Sequence, residues 1–188
     1  MGFICNWFKG LFHKKPLSLI TPEIEDLALQ LTIGATTDEE RLLAIYNYIT
    51  SKKSATLQDP DKYAWLTPEQ VIGKIAKDEP LGCKHKAVLF LALAQAAGLQ
   101  NRVRFIGGRI RFPNGEEYGH AWINLCPGEW GRFELMHLED REPAQSIPEA
   151  MFRIPGGWWS VVYIHPRELG LATAFDDVDK MPQLKGKR

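Results

Sequence analysis

The chain has 188 residues, 45% of them hydrophobic and 24% charged, the length of one domain with enough apolar material for a core. Its 23 Lys and Arg residues balance its 23 Asp and Glu residues, which excludes the global field that a nucleic-acid or strongly acidic partner calls for. The three cysteines, Cys5, Cys83 and Cys126, are too few and too widely spaced for a disulfide framework or a structural zinc site.

Residues 1–16 read as a segment of their own, residues 17–166 as the main domain and residues 167–188 as a polar tail. Drawn as a helix, MGFICNWFKGLFHKK places Phe3, Trp7 and Leu11 in one row and Ile4, Phe8 and Phe12 in the next. Lys9, His13 and Lys14 fall elsewhere, the composition of a helix lying on a membrane surface or on a second copy of the chain. Lysines and Asn6 interrupt any signal-peptide core, and Asn6 stands where a myristoylation start needs Ser or Thr. No apolar run reaches the roughly 20 residues of a spanning helix. Free thiols fit a reducing compartment, so the expected location is cytoplasmic, with peripheral membrane contact through residues 1–15.

The first half of the domain carries helix-start signals. Thr21-Pro22-Glu23 opens one helix, with Thr as cap and Pro in the first turn. Thr37-Asp38-Glu39-Glu40 and Thr67-Pro68-Glu69-Gln70 are capping boxes. The first leads into a helix whose Leu42, Ile45, Tyr46 and Ile49 share a face, the second into one carrying Val71, Ile72 and Ile75. The fourth helix, from Cys83 to a stop at Gly98, is apolar on nearly every side and must be central.

Beyond Gly98 the period changes to two. RVRFIGGRIRF, HAWINL, GRFELM and WWSVVYI read as strands. Pro113-Asn114-Gly115 makes the first turn and Cys126-Pro127-Gly128-Glu129 the second, and such short connections imply antiparallel neighbours. Helices first and strands after give an α+β domain in which the buried helix packs on an antiparallel sheet.

Cys83 opens that buried helix, where unpaired backbone N–H groups and the helix dipole favour thiolate. Lys84, His85 and Lys86 push the same way where they lie near the sulfur; a solvated basic turn is the alternative reading of those three. His120 opens a strand, and a helix-start thiol facing a strand-borne imidazole is the arrangement of cysteine proteases. Trp122 follows on the same strand face, either screening the pair or packing the core. Gly156-Gly157-Trp158-Trp159 is read as core plus surface before it is read as a wall of the cleft. Cys83, His85 and His120 have no accepted metal-ligand spacing, and neither a metal nor a cofactor is expected.

The stretch from Thr67 to Gly108, with its Gly-Cys element, Ala/Leu-rich helix and AAGLQNRVRFIGG, resembles the core of the transglutaminase-like superfamily. GHAWINL is similar to that family's His-Ala-Trp strand, and WGRFEL to the Trp-bearing strand after it. The resemblance covers about Leu42 to Met136 and implies a papain/transglutaminase-like fold and a thiol-dependent hydrolase or acyltransferase acting on amide bonds of a protein or peptide substrate through a thioester. It implies Cys83 as nucleophile, His120 as general base, and an acid four residues after Trp130, where this chain has Glu134 in place of the family's Asp. Asp140 is the alternative acid, and Trp65 the candidate side chain beside the oxyanion hole. The departure at Glu134 keeps a second function open, a catalytically inactive member used for binding or assembly. Strand parity makes a specific demand: His120 and Glu134 share a face only if an odd number of residues, or a bulge, connects their strands.

Overall fold

The computed structural model describes residues 20–56, 59, 66–125, 132–152 and 160–164. The expectations for residues 1–15, Trp65, the turn at Cys126, Trp130, Gly156 to Trp159 and the C-terminal tail lie outside them.

Four helices come first: α1 (Pro22–Thr32), α2 (Asp38–Thr50), α3 (Pro68–Ala76) and α4 (Cys83–Ala96). Both capping boxes form. The Glu40 N–H donates to Thr37 Oγ1 at 3.2 Å while the Thr37 N–H donates to Glu40 Oε2 at 3.0 Å, and Thr67 and Gln70 do the same for α3. Thr21 has the extended backbone of a cap, but its side chain makes no capping bond, which corrects the expectation for α1. Gly98 ends α4 with φ +77°, a conformation glycine adopts without steric cost.

The strands β1 (Val103–Arg111), β2 (Glu117–Leu125), β3 (Arg132–Phe133) and β4 (Ser160–Ile164) form one antiparallel sheet in the order β3-β2-β1-β4. A short helix, α5 (Ile147–Phe152), lies between β3 and β4. The sequence reading passed over α5, although Ser146 and Glu149 stand three apart at its start and the Glu149 N–H donates to Ser146 Oγ at 3.3 Å. β2 begins three residues before His120. β3 is much shorter than GRFELM suggested, for a reason that lies in the site.

Along β1, Val103 and Phe105 face the helices while Ile106 and Ile110 face away, the two-residue alternation of a pleated strand. On the helix side these join Ala121, Ile123 and Phe133 against α4, whose residues from Lys84 to Ala94 are all buried. Each fully buried Leu or Phe there contributes roughly 1.5–3 kcal/mol, so Leu89, Phe90 and Leu93 alone anchor α4 firmly on the sheet. Phe133 closes this core, its ring 4.7 Å from Tyr46 and 5.8 Å from Phe90. On the other face Trp122 packs with Ile106 and Ile110. Among the described residues, no helix is long and apolar enough to cross a membrane.

Candidate active site

Cys83 is the first residue of α4, capped by Gly82. The place that Glu or Gln takes in the other boxes is taken here by His85, whose Nδ1 accepts the Gly82 N–H at 3.2 Å. An imidazole nitrogen that accepts is not protonated, so His85 finishes the helix start as a neutral group. The solvated basic turn is thereby corrected: Lys84, His85 and Lys86 are 1%, 2% and 0% exposed. Burial lowers the Lys84 ammonium to about 8, with the Cys83 charge pulling the other way. Lys86 turns to the Lys52 carbonyl and Ser54.

His120 lies on β2, and its Nε2–H donates to Glu134 Oε2 at 2.8 Å. Its other hydrogen-bond partner is Cys83, so Nδ1 is the ring nitrogen left for the sulfur. The Ala121 N–H also donates to Cys83, at a point of β2 beyond the reach of β3, which pairs only with Ile123 and Asn124. Trp122 stacks beside His120 with ring centroids 6.0 Å apart and 25° between planes, and its Nε1–H donates to Asn124 Oδ1 at 3.0 Å. Trp122 thus packs against Ile106 and Ile110 and also stacks beside the imidazole.

The register explains how Glu134 arrives there. Asn124 stands opposite Arg132, so even-numbered residues of the two strands share a face, and His120 and Glu134 are on it. The connection itself lies outside the described residues. The extra methylene of Glu over Asp is taken up by folding the side chain back: Oε1 accepts the N–H groups of Leu135 at 2.8 Å and Met136 at 2.9 Å. Consecutive N–H groups of a strand point to opposite edges, so at most one of these two could have paired with β2, and the carboxylate that serves His120 occupies it where β3 ends after two residues. Asp140, the alternative acid, is exposed.

The electrostatics follow from this chain of contacts. Burial alone would push the Cys83 thiol up; the hydrogen bond and charge of His120, with the Ala121 N–H, outweigh it and hold the thiol below its ordinary value. Burial works against a charged imidazole too, yet Glu134 and Cys83 raise His120 to about 10. Glu134, nearly fully buried, is kept low against its own burial by His120 and the Met136 and Leu135 N–H groups. The three shifts favour one charge pattern, with negative charge on the sulfur and the carboxylate and positive charge on the imidazole between them.

A helix-start cysteine, a strand-borne histidine and a buried acid lie together on an α+β frame, an arrangement similar to that of papain-like and transglutaminase-like proteins. The family model described as the transglutaminase-like superfamily matches residues 25–135, which enclose Cys83, His120 and Glu134. The chain belongs to that superfamily, which supports a thiol-dependent enzyme at the superfamily level. No curated protein matches the sequence. Among solved structures, a provisionally named cysteine protease from Cytophaga hutchinsonii is similar with a TM-score of 0.47 at 15% identity. The match covers 87% of this chain and 47% of that one, so the chain spans about half that relative's length.

Sequence reasoning missed two residues that border the site, Ser54 and Glu139, and it read Lys86 as a charge near the sulfur where the structure turns it to Ser54. Ser54 and Glu139 are 85 residues apart, and no local pattern could have joined them.

Proposed function

We propose that this protein is a cysteine hydrolase cleaving amide bonds of a protein or peptide substrate through a Cys83–His120–Glu134 triad. The observation that carries the reading is the buried Glu134–His120 hydrogen bond at 2.8 Å, on a histidine whose other partner is the thiol at the start of α4. The Cys83 thiolate attacks the substrate carbonyl carbon, and the oxygen takes the displaced electron pair. The backbone N–H of Cys83, in the first turn of α4 where helical partners are lacking, donates to that oxyanion. Trp65 is proposed as a neighbouring wall or second donor. The tetrahedral adduct collapses to a thioester as His120 Nδ1 gives its proton to the departing amine. Water then attacks the thioester, His120 takes its proton, and the carboxylic acid leaves with Cys83 restored. Glu134 holds the imidazole in the orientation and tautomer both halves need. Hydrolysis is preferred to acyl transfer because water is always available, whereas transfer requires a dedicated amine site.

The test is turnover of a peptide library by the full chain and its Cys83→Ser variant, with the pH dependence of Cys83 alkylation. The expected result is cleavage that falls at least about 1000-fold in the variant, and a thiol reacting as thiolate well below the ordinary value of about 8.5. A Cys83 that titrates as an ordinary thiol, in a chain cleaving no peptide, would instead mark a binding or assembly module.

A further inference from the structure

Lys86 is a fully buried ammonium that the proposed chemistry does not use. It lies in the first turn of α4, three residues beyond Cys83, and donates to the Lys52 carbonyl and, at 3.0 Å, to Ser54 Oγ. That hydroxyl is fully engaged: it donates to Glu139 Oε2 at 2.9 Å and also accepts the His137 N–H at 2.8 Å. The Ser54 N–H adds a second bond to Glu139, at 3.2 Å to Oε1.

This cluster grips the chain on both sides of the site. Residues 53–55 pair with Leu81, whose N–H donates to the Lys53 carbonyl at 2.9 Å and whose carbonyl accepts the Ala55 N–H at 2.8 Å. Leu81 is two residues before Cys83. On the other side, 137–139 begins three residues after Glu134. His137 has φ +56°, a left-handed conformation that an L side chain rarely adopts, and its N–H is the one bound by Ser54. The acidic groups facing Lys86 are Glu139 and Glu134, whose charges oppose the effect of burial on it.

We propose that Lys86, Ser54 and Glu139 are positioning residues that fix the nucleophile-bearing end of α4 against the loop carrying Glu134. The proposal rests on the triad reading above. Neither the α4 start nor the 134–139 loop is joined to the other by covalent neighbours, so their spacing depends on noncovalent contacts. A buried cation held by the Lys52 carbonyl and Ser54 Oγ, with Ser54 bonded in turn to Glu139, resists sliding of either segment, because separation would strip the ammonium of its hydrogen-bond partners away from water. The triad geometry is held from outside the triad.

The experiment compares Lys86→Met, Ser54→Ala and Glu139→Gln in the full chain. The readouts are kcat and KM on a cleaved peptide, the pH profile of Cys83 alkylation, and the melting temperature. Each variant that folds is expected to lose about 10-fold or more in kcat with little change in KM, because small misplacements of reacting groups are amplified in rate. The acid limb of the alkylation profile should move to higher pH as His120 and Glu134 lose their alignment. Glu139 is half-buried, and Gln keeps an oxygen for one of the two Ser54 bonds while losing the other and the charge, so Glu139→Gln decides the matter if Lys86→Met fails to fold. A wild-type kcat and alkylation profile in Glu139→Gln, even with a lower melting temperature, overturns the proposal. An ordinary thiol and no turnover in the unmutated chain overturns the triad reading itself, a result distinct from failure in the variants.

Discussion

Replacing Glu134 by Gln changes one oxygen to an NH2 group and removes one charge, and the contacts of the side chain dictate how the site responds. Oε1 is committed to two backbone N–H groups, so the amide oxygen of Gln takes that side and the NH2 faces His120 Nε2. An NH2 cannot accept, so Nε2 must become the acceptor and the imidazole proton moves to Nδ1. Neutral His120 then presents N–H, not a lone pair, to Cys83, and can no longer take the thiol proton. The imidazolium also loses its carboxylate, which is the first of the charges raising it to about 10. The analogous loss of tautomer control in a serine-protease triad costs about 10⁴-fold in kcat, and a drop of about 10³–10⁴-fold is expected here. Stability should change far less, since the backbone bonds of the side chain survive and no charge is newly buried. The assay is kcat on a cleaved peptide together with the pH profile of Cys83 alkylation, against a thermal melt. Activity within about threefold of wild type, with thiolate still formed at low pH, would refute Glu134 as the orienting acid.

Glu134→Asp, although it restores the residue usual in the superfamily, is expected to lower kcat, because a side chain about 1.5 Å shorter cannot reach both His120 and the Leu135 and Met136 N–H groups; steady-state kinetics decide. Alkylation of Cys83 should persist below the ordinary thiol value of about 8.5, and on the alkaline side activity should decline as pH rises through about 10, where His120 loses its proton. For stability the signs separate: the raised His120 contributes below its unfolded value of 6.5 and loses that contribution through about 10, whereas the lowered Glu134 contributes above 4.5 and loses it in acid, so melts across pH should fall at both ends. Thr37→Ala removes the Thr side of the α2 capping box, costing about 1 kcal/mol in denaturant unfolding while leaving kcat unchanged. Deleting residues 1–15 is expected to reduce binding to anionic liposomes or the size of the oligomer, and no change in either would refute the amphipathic reading of that segment.

Much of the fold was legible from local chemistry. Capping at Thr37 and Thr67 depends on residues three apart, and the burial of α4 follows from the lack of any polar face between Ala87 and Ala94. Cys83 at a helix start and His120 on a strand were likewise written in adjacent residues. Parity confined Glu134 to the His120 face only if the register was even, and the pairing of Asn124 with Arg132 supplied that register. Tertiary structure alone decided the length of β3, which ends where the Glu134 side chain binds the Leu135 and Met136 N–H groups, one of which would face β2 in a longer strand. It also decided the fate of the basic turn. A sequence shows Lys84, His85 and Lys86 as three cations, whereas burial and contacts make His85 a neutral acceptor and seat Lys86 on Ser54 from a segment 32 residues away. Charge state and long-range partnership depend on what surrounds a side chain in space, and spacing along the chain does not carry that information.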